Sequence, residues 1–513
     1  MAEDAVSDFP IAIIGAGFAG IGAAIRLKQA GIESFTMFER AAEVGGTWRD
    51  NTYPGCACDV QSHVYSLSFA QNPNWSRRYS TWDEIQRYLI DLVDKYGLDA
   101  HLRRNTEIVR AEFDEDAGTW TLTTDAGDTF VARAVIAGAG GLVDPSYPTI
   151  EGMDSFEGSM FHSARWEHDV DLTGKRVAIV GTGASAVQIV PNIAPIVDEL
   201  TVFQRTAAWV VPKFDKAYSE RTKQFLTRFP LFLRFIRFLK YLWSEFLGPI
   251  VFLDSKILSR IGRAISMWNL RRQVKDPELR KRLTPEFQFG CKRVLVSDDY
   301  WAAFERDNVE LVTDDIVRIV ASGIETDDAR QRPFDVIVLA TGYLLGLARA
   351  PFEVIGRNGR SLDDAWKDRP AAYKGMTVSG FPNWFIMMGP NTGPGHTSVL
   401  VYTEAQIDHA LQAIEKMRNE EIRYCDIRQD VQDLYNEGIQ ARMKHMVWGS
   451  GCGSWYLSND GRNYSLYPGF ATEYVVRARK LVPAEYELAY FEDEKRAVEV
   501  DREATSEQLG ATP

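Results

Sequence analysis

Two glycine-rich turns in this chain are each followed, 24 positions after their first glycine, by a charged residue, and the two charges are of opposite sign. The first turn reads Gly15-Ala16-Gly17-Phe18-Ala19-Gly20 and leads to Glu39. The second reads Gly181-Thr182-Gly183-Ala184-Ser185-Ala186 and leads to Arg205. Glycine permits the tight turn and lets the backbone approach a pyrophosphate, and a helix N-terminus then offers free N–H groups to the phosphates. In a dinucleotide-binding βαβ unit the later charged position ends the second strand and faces the adenosine ribose. A carboxylate there accepts hydrogen bonds from ribose hydroxyls, whereas an arginine suits a 2′-phosphate. The pair reads as one FAD site and one NADPH site, hence a flavoprotein that takes hydride from NADPH.

The elements needed to hold these turns are legible around them. Ile11-Ala12-Ile13-Ile14 is an apolar run before the first turn, Ile21 to Ala30 continues as a helix, and Met37-Phe38-Glu39 closes a second strand. The second unit repeats this order, with Arg176 to Val180, an apolar segment to Ile196, and Leu200 to Phe203 ahead of Arg205. Ala186 stands where the third glycine would be, a substitution that the fingerprint permits. Residues 107–140 carry short strand signals that close on Ala134-Val135-Ile136-Ala137-Gly138, and residues 309–342 repeat that pattern, closing on Asp335 to Gly342. Duplicated nucleotide units of this kind predict an α/β fold with two Rossmann-like dinucleotide-binding domains, the second inserted in the first. The expected FAD-binding domain covers 1–145 and 381–513. The NADP-binding domain covers 153–212 and 291–380, and residues 213–290 form a helical insertion. Crossings are expected at Gly140 to Pro148 and near Phe381-Pro382-Asn383.

Composition narrows the partners. The chain has 513 residues, is 45% hydrophobic and 25% charged, and carries a net charge of −13. That balance is ordinary for a globular enzyme and disfavours nucleic acid or an anionic membrane as the main partner. Cys56, Cys58, Cys291, Cys425 and Cys452 form no Cys-x-x-Cys pair, so neither a disulfide framework nor a metal site is indicated. The acidic start, without a basic, apolar leader, reads as cytoplasmic. Within the insertion, Arg234, Arg237 and Lys240 recur every three residues and form a basic stripe on an apolar helix. The longest uncharged run there, Phe246 to Leu253, is too short to span a bilayer. Two readings stay open for this segment. One is a helical subdomain packed on the nucleotide domains; the other is peripheral lipid contact through 225–253.

Two further motifs identify a family. Gly45-Gly46-Thr47-Trp48, four residues, Tyr53-Pro54-Gly55, three residues and Asp59 match a long motif at every defined position. Phe156-x-Gly158-x-x-x-His162-x-x-x-Trp166 matches a second fingerprint, with Glu167 where Pro or Asp is usual. With the two glycine turns flanking that fingerprint, the chain resembles the type I Baeyer–Villiger monooxygenases over roughly residues 10–470. The resemblance implies a reaction. NADPH reduces FAD, O2 adds to give a C4a-peroxyflavin, and one oxygen atom enters beside a ketone carbonyl to give an ester or lactone. Such chemistry needs fixed positive charge where negative charge develops, and it needs water excluded.

The resemblance also implies residue roles. Arg293 is the active-site arginine and Asp59 its acidic partner, both also near the cofactors. Lys292 joins Arg205 and Thr206 on the 2′-phosphate. The FAD side takes Gly15, Gly17, Phe18, Ala19, Gly20, Glu39, Arg40, Gly46, Thr47, Trp48, Asp59 and Tyr65. The NADP side takes Gly181, Thr182, Gly183, Ser185, Ala186, Gln188, Ala340, Thr341 and Gly342, with Trp455 in a segment that contacts nicotinamide. Phe156, Gly158, His162 and Trp166 are hinge residues at the domain linker, and His162 is not a general base. Cys291 is read as a small packing residue. The expected substrate is an apolar ketone with O2, and no oligomeric state is specified. An N- or S-oxygenating flavin monooxygenase is the alternative, against which Trp166 and the Asp59 motif argue. A disulfide reductase would need a redox cysteine pair, and Cys56-Ala57-Cys58 is too closely spaced for one.

Overall fold

The structure is a computed structural model, and it describes residues 9–344, 352–367, 369–449, 456–457 and 461–491. Two five-stranded parallel sheets carry the two glycine turns. The first runs Trp384–Ile386, Ala134–Ala137, Ile11–Ile14, Phe35–Phe38, Leu102–Arg103. The second runs Val309–Val312, Glu199–Phe203, Arg176–Val180, Val336–Leu339, Ser159–His162. In each, the strand before the glycine turn sits at the centre of the sheet. These strands are short apolar runs because a parallel sheet covered by helices buries both faces. Ile11–Ile14, Ala134–Ala137 and Val336–Leu339 are buried at every residue.

The second sheet lies wholly between strands of the first in the chain, so one dinucleotide unit is inserted in the other. The two connecting segments run side by side. Asp144–Pro145 pairs antiparallel with Tyr343–Leu344, and the Thr341 hydroxyl donates to the Ser146 carbonyl at 2.6 Å. The chain rejoins the first unit ahead of the crossing expected near Phe381-Pro382-Asn383. Glu353–Ile355 already pairs with Ile108–Asp114, and Val354, Leu362 and Trp366 share a core with Ile14, Phe38 and Trp384. Strand pairing across a long sequence separation leaves no local mark, which is why the sequence placed this crossing late.

Residues 213–290 are helical, with helices Glu220–Arg228, Pro230–Phe252, Lys256–Gln273 and Pro277–Arg282. Ser219, Ser255 and Asp276 cap three of them by accepting a backbone N–H. Among the described residues no helix is long and apolar enough to cross a membrane.

The basic stripe expected at Arg234, Arg237 and Lys240 is not a surface stripe. Arg237 turns inward and donates to the carbonyls of His63, Val64 and Ser66, with Glu404 3.6 Å away. Lys240 donates to the Tyr218 hydroxyl, and only Arg234 of the three is exposed. The carbonyl acceptors lie 171 to 174 residues away in sequence, so helical periodicity could not announce them.

Candidate active site

In the first glycine turn only glycine fits at positions 15 and 20. Gly15 has φ +88°, and a Cβ there would meet the Gly138 carbonyl at 2.6 Å. A Cβ on Gly20 would meet the Gly15 carbonyl at 1.8 Å. Gly17 then caps helix Phe18–Gln29, whose first N–H groups have no partner within the helix. The long motif folds back over this turn. Gly45 N–H donates to the Ala16 carbonyl at 2.9 Å, and the Gly46 backbone faces Gly17. Thr47 opens the short helix Thr47–Asp50. Trp48 donates to the Tyr65 hydroxyl at 3.0 Å, and Phe18 meets the Tyr65 ring edge-on at 5.2 Å. Burial pushes the Tyr65 hydroxyl far up its scale, so it stays protonated.

Glu39 ends its strand as expected, and it is buried. One carboxylate oxygen accepts from Ala16 N–H at 2.9 Å; the other accepts from Ala41 N–H at 3.0 Å and from Arg49 at 2.7 Å. Arg49 is a partner that the sequence reading missed, and it sits inside the long motif. Arg40 is exposed, 4.0 Å from Glu107.

The second turn repeats the logic. Gly181 has φ +116°, and a Cβ there would meet the Ala340 carbonyl at 2.5 Å. Gly183 caps helix Ala184–Ile193, with no atom within 4 Å of an added Cβ. Ala186 is fully buried in that helix, in keeping with a small residue where glycine is usual. The Thr182 hydroxyl donates to the Thr206 carbonyl at 2.8 Å. Arg205 is exposed, with no acidic partner among the described residues. Lys292 lies close enough that burial and the Arg205 charge together hold its ammonium below the usual range. Two cations 87 residues apart in sequence thus share one surface.

The long motif also bridges the two units. Tyr53 donates to the Gln188 side-chain carbonyl at 3.0 Å, and the Gln188 amide donates to the Ala57 carbonyl at 2.8 Å. Ser185 sits beside the Tyr53 hydroxyl. At Gly55, φ +79°, a Cβ would meet Asn192 Nδ2 at 2.1 Å, so the Tyr-Pro-Gly segment touches the helix of the second turn. Beyond this contact the motif delivers Asp59.

Arg293 reaches Asp59 across 234 residues. Its Nε and Nη2 both donate to Asp59 Oδ2, at 3.0 and 2.5 Å. The Asp59 charge holds the guanidinium above its usual pKa, against the pull of burial, so Arg293 is a permanent cation. The pair is partly open, 35% exposed at Arg293 and 27% at Asp59. Tyr456 is a neighbour whose role the sequence did not disclose. Its hydroxyl accepts from Arg293, and burial pushes it up to about 12.

The loop that carries Arg293 is locked on both sides. A Cβ on Gly290, φ +88°, would meet the Val251 carbonyl at 2.1 Å, and Trp448 donates to the Gly290 carbonyl at 3.1 Å. Cys291 is fully buried among Phe252, Trp448 and Tyr456, as a small packing residue would be, and it is also disulfide-bonded, which the scattered cysteines did not indicate. Disulfide pairing depends on spatial proximity, which the spacing of scattered cysteines does not encode. Cys56, Cys58 and Cys425 are free thiols.

The linker fingerprint sits away from this pair. His162 ends strand Ser159–His162, where its register partner is Leu339. Tyr147 and Tyr343, one from each connecting segment, flank its ring at 5.5 and 6.1 Å. Burial lowers its pKa to about 4, and Nδ1 accepts from Ala164 N–H, so the ring is neutral. Phe156 and Gly158 pack at the start of the same strand. A Cβ on Gly158 would meet the Asp335 carbonyl at 2.5 Å. Trp166 stacks edge-on with Phe161 at 5.1 Å. Thr341 and Gly342 lie in the return crossing next to His162. Trp455 falls outside the described residues.

Comparison with known proteins bears on this geometry directly. Residues 12–229 match the family model of the pyridine nucleotide-disulphide oxidoreductases. A Baeyer–Villiger monooxygenase of Pseudomonas aeruginosa is 43% identical over 481 residues, covering 93% of this chain and 91% of the relative. One from Streptomyces coelicolor is 41% identical, covering 93% and 92%. Among solved structures, OTEMO in complex with FAD and NADP superposes with a TM-score of 0.85 at 29% identity, covering 94% of this chain and all of that one. Cyclohexanone monooxygenase from Rhodococcus sp. Phi1 bound to NADP+ gives 0.84 at 26% identity, covering 94% and 99%. Two dinucleotide units, one nested in the other, and relatives of this similarity over nearly the whole chain place the protein in the family of FAD- and NADPH-dependent Baeyer–Villiger monooxygenases.

Proposed function

We propose that this enzyme oxygenates an apolar ketone and that Arg293, held by Asp59, is the cation at the reacting carbonyl. The observation that carries this is the geometry of the pair, two N–H donors on a single carboxylate oxygen at 3.0 and 2.5 Å. Asp59 thereby fixes the plane of the guanidinium; one of its other N–H groups meets the Tyr456 hydroxyl, and the rest can point to a substrate.

The residues present fit both cofactors. Gly15 and Gly20 admit no Cβ, the helix N-terminus after Gly17 is unpaired, and Glu39 sets its carboxylate beside that turn. Arg205 and Lys292 offer two cations with no competing acid among the described residues, which suits a 2′-phosphate. When bound, FAD supplies the redox chemistry, accepting hydride from NADPH and activating O2. The chain supplies the rest. The two glycine turns bind the pyrophosphates. Arg293 orients the ketone oxygen and stabilises the negative charge that grows on it. Tyr456, with Phe252 and Trp448 of the apolar cluster behind the Arg293 loop, keeps water from the carbonyl.

We assign the remaining roles as follows. Gly17, Phe18, Ala19, Gly46, Thr47, Trp48 and Tyr65 line the flavin side, and Thr182, Ser185, Gln188, Thr206 and Ala340 line the nicotinamide side. His162 and the two paired crossings form the hinge. With the strand pairing above, the flavin unit takes residues up to 145 and from 352 on. Action in the cytoplasm belongs to the same reading; three thiols are free, and the disulfide at Cys291 counts against it.

The test is a panel of linear, cyclic and carboxylated ketones, a sulfide and a tertiary amine, with NADPH consumption measured and products identified. Ester or lactone from uncharged ketones supports the reading. Turnover confined to the sulfide, the amine or the carboxylated ketones overturns it.

A further inference from the structure

The helical insertion is turned inside out. Of 26 large hydrophobic side chains exposed among the described residues, 14 fall within residues 225–268. On helix Pro230–Phe252 the outward side carries Leu231, Phe235, Phe238, Leu242, Trp243 and Phe246, with Leu231 76% and Phe246 73% exposed. Its inward side carries Arg237, Lys240 and Glu245, each with a polar partner. An ordinary surface helix has the reverse arrangement. Helix Lys256–Gln273 packs beside it and continues the apolar face through Ile257, Ile261, Ile265 and Trp268 at helical spacing. A contiguous exposed face of this size on a folded protein marks a contact surface.

Charge identifies what covers it. The chain as a whole carries −13, yet residues 228–275 hold ten Lys or Arg against two acids, Glu245 and Asp254. Glu245 is buried and engaged with His396, so it does not offset the surface charge. The exposed cations Arg228, Arg234, Lys256, Arg260, Arg263 and Arg271 border the apolar residues. Three of them, with Trp268 and Met267, line a shallow depression of about 400 Å³ on the second helix. Guanidinium groups around an apolar floor match a phosphate headgroup above acyl chains. A second copy laid on the same face would bring two strongly cationic segments together, which costs free energy.

We propose that this face docks the enzyme on an anionic phospholipid surface, with the two helices lying in the plane of the headgroups. Aromatic and aliphatic side chains enter the acyl boundary while the arginines hold phosphates. The far end of the first helix supplies the Val251 carbonyl against Gly290, two positions before Lys292. Docking therefore sets the Arg293 loop near the bilayer, where apolar compounds concentrate. The lipid contact stands on the surface alone and does not depend on the assignment of the oxygenation site.

The test is co-sedimentation of the full-length, FAD-loaded chain with vesicles of phosphatidylcholine alone or with one third phosphatidylglycerol. Sedimentation with the anionic vesicles is expected, weaker by about tenfold at 0.5 M salt because screening shortens the reach of surface charge. The L231S/F246S variant should lose about tenfold or more in partitioning, since each exposed apolar side chain contributes on that scale when buried. R260E/R271E should lose the preference for phosphatidylglycerol. NADPH oxidation should be unchanged in both variants, which shows that they fold. No sedimentation with anionic vesicles overturns the proposal, and so does equal binding to both vesicle types. A concentration-dependent dimer in ultracentrifugation that L231S/F246S converts to monomer also overturns it, by showing that a second copy covers the face.

Discussion

Replacing Arg293 with alanine should separate hydride transfer from oxygen insertion. A guanidinium has five N–H donors. Two go to Asp59 Oδ2, and one meets the Tyr456 hydroxyl. About two therefore remain to face a substrate oxygen. Losing one positioned donor to a developing oxyanion costs about 10²–10³ in rate, and two donors on one oxygen are not additive, so ester formation should fall by about 10³. Binding of NADPH rests on other residues, so anaerobic stopped flow should still show the flavin bleach, with some slowing. In air the variant should oxidise NADPH and release hydrogen peroxide in place of ester. Arg293→Lys keeps a charge without the planar fork and should recover about tenfold of the loss. Asp59→Ala should show a milder version of the same uncoupling, because Asp59 acts only through the guanidinium. Removing Arg293 also leaves a partly buried carboxylate short of two donors, at a stability cost of about 1–2 kcal/mol. A thermal melt distinguishes that loss from unfolding. If Arg293→Ala makes ester at the wild-type rate with NADPH fully coupled to product, Arg293 does not face the carbonyl, and the reasoning fails.

Arg205→Ala should raise the KM for NADPH by about 10- to 150-fold and leave that for NADH nearly unchanged, the scale of one charge-assisted hydrogen bond. Equal effects on both would remove Arg205 from the 2′-phosphate. Gly20→Ala places a Cβ 1.8 Å from the Gly15 carbonyl. The purified variant should lack FAD, and a normal flavin-to-protein absorbance ratio would refute this account of the turn. Stability should fall in acid for a traceable reason. Burial lowers His63 to about 3, His162 to about 4 and His409 to about 3, from 6.5. Between those values and 6.5 the unfolded chain binds more protons than the folded one, so stability is lost as pH falls through that window. Asp426, pushed up to about 6 by burial, acts in the opposite sense between 3.8 and 6. Three histidines against two carboxyls, Asp426 and the Glu404 that burial also raises, leave a net loss, on the order of 1 kcal/mol per histidine for each pH unit. Melts at pH 7 and pH 5 with the same midpoint would show that these rings are not held neutral.

The two cofactor turns were legible because their requirements are local. A turn whose first glycine admits no Cβ, an apolar strand before it and a charge at the end of the next strand all lie within one βαβ unit. Short-range sterics and helix-end electrostatics therefore sufficed to read Gly15 to Glu39 and Gly181 to Arg205. The long motif and the linker fingerprint were legible in another way, as a resemblance that carried Asp59, Arg293 and His162 to their positions without explaining them. The remainder depended on contacts between residues far apart in the chain. Arg293 and Asp59 carry no mutual signal across 234 residues until the motif loop docks on helix Ala184–Ile193 through Tyr53, Gly55 and Gln188. Tyr456 on Arg293 and the early return crossing at Glu353 arise the same way, whereas Arg49 meets Glu39 from only ten residues along the chain, where the long motif folds back. The insertion helix is the sharpest case. Its period places Arg237 and Lys240 on one side, but period alone does not say which side faces the protein. That was settled by the carbonyls of His63, Val64 and Ser66 and by the Tyr218 hydroxyl, whose hydrogen bonds offset the cost of burying cations and turn the apolar side to the surface.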